Sequence, residues 1–228
     1  MSNLVDIVQG IINQIDTSIE VQSTDGVRIN VCSTLWISTD KRVEDGLGNV
    51  YKVTDFLQDT WIDVTPLNGA PIFGGSVVIA PSITFLHGSP SSTNNEYLQI
   101  SKRTREKTPF IWLLESYEYV DQGLESSIEA AFDARLFFMD ETNVKKWIND
   151  EHNTRAIKPM EGLVKAFKDV IDNDYSFKRM SSFRNRVRPR FGVEISNQGS
   201  KSKIINEDLS GVEVNMTIEL YDLSICNC

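Results

Sequence analysis

Val212-Glu-Val-Asn-Met-Thr-Ile-Glu-Leu-Tyr221 is the stretch that decides how the chain is read. Val212, Val214, Met216, Ile218 and Leu220 fall on one phase, and Glu213, Asn215, Thr217, Glu219 and Tyr221 on the other. Side chains alternate across a strand with period two, so this segment is a strand with one apolar and one polar face. A second alternation lies upstream, where Ile128, Ala130, Phe132, Ala134, Leu136 and Phe138 share a face. Between the two, Met160, Leu163, Val164, Phe167, Val170 and Ile171 recur at helical spacing, with Pro159 in the first turn and Asn173 as the stop. Phe110 to Glu118 is almost continuously apolar and reads as a central strand. Val144, Trp147 and Ile148 predict a short helix after Thr142, and Phe191 to Ile195 a further strand.

Toward the N-terminus, Leu4, Ile7, Val8, Ile11, Ile12 and Ile15 mark an amphipathic helix, with Ser2 or Asn3 as its cap. Its polar face lacks Lys and Arg, which favours packing on a core over lying on a membrane surface. From Val21 to about Ile100, short β-rich runs alternate with turn dipeptides: Val27 to Val31, Val50 to Thr54, Trp61 to Val64 and Val77 to Ala80, broken by Asp45-Gly46, Gly48-Asn49 and Asn68-Gly69. That spacing predicts a small antiparallel sheet or barrel. Gly88 to Asn95 reads as a polar loop, and Lys102 to Lys107 as a solvated charged connector. Strands and helices segregate along the chain, which is the α+β pattern. The expected organisation is an α+β core from 1–20 and 106–228, a sheet packed by helices, with a β-rich module inserted at 21–105.

The 228 residues suffice for a sizeable core, and a hydrophobic share of 40% with 24% charged residues argues against disorder. The net charge of -9 argues against a general nucleic-acid coat, which needs surplus cations to neutralise phosphates. No apolar run approaches the length of a membrane span, and the N-terminal segment lacks the basic start of a signal peptide. Synthesis in the cytoplasm and no membrane partner are expected.

Motifs for chemistry are missing. No phosphate loop, dinucleotide fingerprint, nucleophile elbow or metal-binding helix occurs. His87 lies near Ser89, and His152 follows Asp150 and Glu151, but neither comes with signs of an oxyanion hole. Carboxylate pairs such as Asp55 with Asp59 or Asp121 with Glu125 are too common in an acidic chain to carry weight, and Asp172 with Asp174 lacks the rest of a calcium loop. Three cysteines, Cys32, Cys226 and Cys228, make neither a disulfide framework nor a zinc set. The reading is no enzyme, no cofactor, no metal and no catalytic residue.

One feature departs from the acidic average. Lys178, Arg179, Arg184, Arg186, Arg188 and Arg190 crowd together. On an extended backbone Arg184, Arg186, Arg188 and Arg190 point to one side, and Pro189 restricts such a strand to a sheet edge. The row meets an acidic protein neighbour across an interface, touches DNA phosphates in a channel, or is a solvated edge that blocks aggregation. The acidic remainder of the chain favours the first.

The succession of the helix at Leu4 to Ile15, the strand pair, the helix opening at Pro159-Met-Glu-Gly-Leu163 and the final strand from Leu209 resembles the tail-terminator and tail-completion proteins of tailed bacteriophages. The resemblance covers Leu4 to Ile15 and about Phe110 to Leu220; Val21 to Arg105 then stands as an insertion that small members lack. It implies a structural virion protein, assembled in the host cytoplasm. Such a protein forms a ring, hexamer or dodecamer, at the neck or tail end, and joins the head connector to the tail. It implies other neck and tail proteins as partners, transient contact with DNA in the lumen, and no catalytic residues. The alternative is a β-rich virion module binding carbohydrate or a receptor through Trp36, Tyr51 and Trp61.

Overall fold

The computed structural model describes residues 3–67, 73–100, 104–114, 118–121, 128–143, 146–178, 183–191, 193–195, 201–203, 205 and 207–221. Helix α1 (Leu4–Gln14) opens on Asn3, whose side chain accepts the Val5 N–H, and buries Leu4, Ile7, Val8, Ile11 and Ile12. Each such side chain taken from water stabilises the fold by roughly 1.5–3 kcal/mol before entropy is counted. The stripe packs on a later helix, as its spacing and a polar face without Lys or Arg imply.

Six short strands follow: β1 (Ser18–Asp25), β2 (Arg28–Val31), β3 (Arg42–Asp45), β4 (Val50–Leu57), β5 (Trp61–Pro66) and β6 (Val77–Ile79). They pair antiparallel in the order β1-β2-β5-β4-β3-β6 and close into a barrel. Ile19, Ile29, Val31, Val43, Tyr51, Val53, Ile62, Val64 and Val78 are buried on alternate positions, so the period-two pattern reaches the interior. Asp45 makes the β3–β4 turn: its carboxylate accepts the N–H groups of Leu47 and Asn49 at 2.9 and 2.8 Å, and Gly48 takes φ +86°.

Next come β7 (Thr84–Gly88), α2 (Pro90–Gln99), the single turn α3 (Thr104–Lys107), β8 (Phe110–Leu114), β9 (Glu118–Asp121) and β10 (Ile128–Glu141). The chain continues through the turn α4 (Asn149–His152), a π-helical turn at Asn153–Ile157, α5 (Lys158–Asn173), β11 (Phe183–Phe191), β12 (Val193–Ile195), β13 (Lys201–Lys203) and β14 (Leu209–Tyr221). The sheet order is β11-β14-β10-β8-β7, with β9 also paired to β10; among the described residues only β7 and β8 run parallel. Among the described residues the molecule is thus an α+β fold of three longer helices, an antiparallel six-stranded barrel and a mixed sheet whose five-strand path carries β9 beside it.

The barrel runs from Ser18 to Ile79. Thr84–Gly88, which the sequence reading assigned to the module at 21–105, pairs with Phe110–Leu114 and so lies in the mixed sheet. Gly88 to Asn95 is not a loop: Ser89 accepts the Ser92 N–H and Pro90 opens α2, a cap and a first-turn proline that composition alone disguised. Lys102 to Lys107 is not wholly a solvated connector either. Lys107 is buried, donating to the Tyr97 carbonyl at 2.8 Å and lying over its ring. Trp147 and Ile148 precede helix α4 instead of belonging to it, and Val144 lies outside the described residues. Pro159 lies in the first turn of α5, as expected. The helix enters through the π turn, where Lys158 donates to the Asn153 carbonyl, a wider ring that accommodates a proline with no N–H to give. Asn173 ends α5 as expected.

One core joins the two halves. Trp36 and Ile37 of the barrel, α1, α5 and the sheet face of Leu136, Phe138, Val212 and Val214 form one cluster. A second cluster, with Tyr97, Phe110, Trp112, Phe137, Met139 and Leu209, covers the other sheet face. Gly162 on α5 lets the helix touch the barrel: a Cβ there would lie 2.7 Å from the Leu35 carbonyl. Lys41 and Asp140 form a buried ion pair between barrel and β10. Ser38 donates to the same carboxylate at 2.6 Å, and Lys41 to the Thr108 carbonyl at 3.1 Å.

Candidate interface site

Strand β11 carries the arginine row and forms one edge of the sheet, paired to β14 alone among the described residues. Pro189 stands on this edge, where the lack of an N–H costs no ladder bond. From Phe183 to Arg188 the register with β14 is regular, so Arg184, Arg186 and Arg188 share a side. Arg190 does not follow them. The register shifts between Arg188 and Phe191, and Arg190 takes φ +56°, so a bulge removes the fourth arginine from the alternation. Its backbone N–H meets Ser210 Oγ at 3.1 Å and its guanidinium reaches Asn149 at 3.3 Å.

The three regular arginines differ in what they hold. Arg188 donates from Nε to Glu213 at 2.6 Å, and Arg135 on β10 donates to the other oxygen of the same carboxylate at 2.7 Å. Burial alone would push the Glu213 carboxyl up; the hydrogen bonds from Arg188 and then Arg135 hold it below its ordinary value. Arg188 is therefore committed to the buried Glu213 within its own chain. Arg184 and Arg186 are exposed and make no ion pair among the described residues, beside Val187, an exposed apolar side chain on the same strand. Lys178 bonds Glu219 at 2.9 Å, and Arg179 lies outside the described residues.

The sequence reading missed Glu213 and Arg135 because it gave the polar phase of β14 to solvent. The signal lay in β10, where Leu136-Phe-Phe-Met139 is apolar on both phases and Phe137 sits opposite Glu213. A sheet segment apolar on both faces is covered on both, so a carboxylate across from it needs partners.

The remaining candidates separate. His87 is exposed, and the Ser89 hydroxyl is engaged in the α2 cap. His152 is buried, with Nδ1 at 2.7 Å from Thr142 Oγ1 and 3.1 Å from Ser210 Oγ. Burial first, and the Arg190 charge second, lower its pKa. Its Nε2 has no partner, but no described cavity opens onto it. Asp55 is exposed; Asp59 accepts the Thr34 N–H at 3.0 Å; Asp172 pairs with Lys168; Asp174 accepts the Ser176 N–H. The Asp121 side chain, Glu125, Cys226 and Cys228 lie outside what is described. Cys32 is exposed, its sulfur accepting from Gln22. Trp36 and Tyr51 are fully buried, and Arg28 lies 3.8 Å over the Trp61 ring while binding Asp63 through two hydrogen bonds. The three aromatics thus do not form an exposed stacking row.

Two clefts open among the described residues. One of about 550 Å³ runs past Asp40, Arg42, Glu44, Lys52 and Glu106, whose charges pair across it as Arg42–Glu106 and Lys52–Asp40. The other, about 630 Å³, has Asp16, Asp169 and Asp174 around Leu35, Ala166 and Val170. No protein-family model matches the chain, and no curated protein matches it in sequence.

Proposed function

We propose that the chain is a structural virion protein of a tailed bacteriophage, a subunit of a ring, hexameric or dodecameric, at the neck or tail end that joins the head connector to the tail. The observation that carries this reading is β11, an open edge strand with Arg184 and Arg186 free of ion pairs among the described residues, in a chain of net charge -9. Unpaired cations on an open edge of an acidic protein fit a protein neighbour better than solvent. The element order agrees with the resemblance: a leading helix, antiparallel strands, a long helix and closing strands, with the tail-terminator-like part interrupted by the barrel. In this role no catalytic group or cofactor is needed. An acidic ring also lets DNA pass the lumen without adhering. The partners are other copies and the neck and tail proteins above and below.

The test is electron microscopy of negatively stained protein, alone and mixed with the head-connector and tail-tube proteins of a phage that encodes this chain. The reading expects closed rings, or a free chain that enters a ring on the connector or tube. A chain that ignores both, or that is missing from purified virions, contradicts it.

A further inference from the structure

The ring reading leaves open which surfaces meet, and the sheet topology narrows the choice; the inference that follows rests on that reading. β11 pairs antiparallel with β14, β14 with β10, and β10 with β9. Three reversals separate β11 from β9, so the two run in opposite directions. Each pairs through one edge only among the described residues. A copy placed alongside by rotation about an axis near the strand direction keeps every strand's sense. β11 of one copy then lies antiparallel to β9 of the next, the pairing with the better hydrogen bonds.

Charge selects the same pairing. β11 carries Arg184 and Arg186, and β9 is the segment Glu118-Tyr-Val-Asp121. Pairing β11 with β11 sets arginines against arginines, and pairing β9 with β9 sets acids against acids; like charges facing one another across strands destabilise a sheet. Two-fold contacts are thereby rejected and the head-to-tail contact is kept, which closes into a ring when the rotation closes. Length agrees as well. Phe183–Arg188 is the regular part of β11, and Pro189 with the left-handed Arg190 ends it, which leaves room for a strand as short as the four residues of β9.

We propose that β11 of one copy adds antiparallel to β9 of the next, bringing Arg184 and Arg186 beside the strand that carries Glu118 and Asp121. This strand addition is the contact that builds the oligomer. The arginines therefore serve twice: they recognise the acidic edge and forbid self-pairing of the basic one.

Mass photometry of the full chain over a concentration series tests it, with Arg184→Glu/Arg186→Glu, Glu118→Arg/Asp121→Arg, and all four changes together. Arg188 is left alone because Glu213 depends on it. Each pair alone raises the concentration for half-assembly by at least about tenfold, given that like-charge juxtaposition costs several kcal/mol. The fourfold variant assembles like the parent, and an equal mixture of the two pair variants assembles although neither does alone. Circular dichroism and thermal melting identify folded variants; if a reversal unfolds the chain, Arg184→Ala/Arg186→Ala replaces it and is expected to weaken assembly in the same direction. Oligomers indifferent to both reversals overturn this contact and leave the ring reading standing. So do oligomers that need Arg184 and Arg186 but are broken by Asp16→Lys/Asp169→Lys and not by changes in β9; the arginines then seat in the acidic cleft. A parent chain that stays monomeric at every concentration also overturns the contact, while recruitment onto connector or tube proteins judges the ring reading separately.

Discussion

The barrel and the mixed sheet treat their polar groups in opposite ways. The barrel closes on itself, so no strand edge is left over, and away from its junction with the sheet its buried Asp45 and Thr34 are satisfied locally: Asp45 by Leu47, Asn49 and Tyr51, and Thr34 by Asp59. The sheet keeps open edges and puts its charges into contacts between distant strands: Glu213 between Arg135 and Arg188, and Asp140 on the barrel's Lys41. Closure abolishes the template for further strand addition, and an open edge retains it. In this molecule, then, the barrel is the self-sufficient half and the sheet is the half with bonding capacity to spare.

The sharpest way to break that contrast is at the junction of the halves. Lys41→Met leaves Asp140 buried without its cation and is expected to cost about 3–5 kcal/mol in urea unfolding. A loss below about 1 kcal/mol would mean that the barrel does not depend on the pair. Within the sheet, Glu213→Gln removes the charge that both arginines bind. It is expected to lower stability by about 1–3 kcal/mol, less than at the junction because both arginines reach solvent.

Acid should act on the sheet before the barrel, in two windows. His152 has a lowered folded pKa, so the unfolded chain binds the proton first; its contribution is complete above about 6.5 and declines as pH falls from there toward the folded value. The Glu213 carboxyl is also lowered, and its contribution is present above its ordinary value of 4.5 and lost as pH falls through the folded value. Melting curves across this range should therefore show a first loss below pH 6.5 that His152→Gln abolishes and a second, more acidic loss that Glu213→Gln abolishes. The smallest expected effect is at α2, where Ser89→Ala removes the cap and costs about 1 kcal/mol by urea unfolding.

The parts of this architecture that follow one periodicity were legible in the sequence. α1, α5, β10 and β14 repeat an apolar residue at a fixed interval, and their buried faces fall where the interval puts them. What escaped was whatever depends on a second layer. α2 has a polar sequence and buries only Thr93 and Tyr97, so its helix rests on the Ser89 cap and the Pro90 start more than on an apolar stripe. Lys107 sits in a charged run yet is buried, because its ammonium finds the Tyr97 carbonyl. For the candidate site, the edge position and the alternation of Arg184, Arg186 and Arg188 were readable from Pro189 and period two. The capture of Arg188 by Glu213 and the bulge at Arg190 depend on β14, whose contacting residues Ser210 and Glu213 lie 20 and 25 residues further on, and no local pattern encodes them.

Hydrogen–deuterium exchange on the full chain, dilute against assembled, tests the division between the two halves most directly. The account predicts that assembly slows exchange in Phe183–Arg188 and Glu118–Asp121 and leaves the barrel from Ser18 to Ile79 unchanged. Slowed exchange confined to the barrel strands, with β11 unaltered, would contradict it.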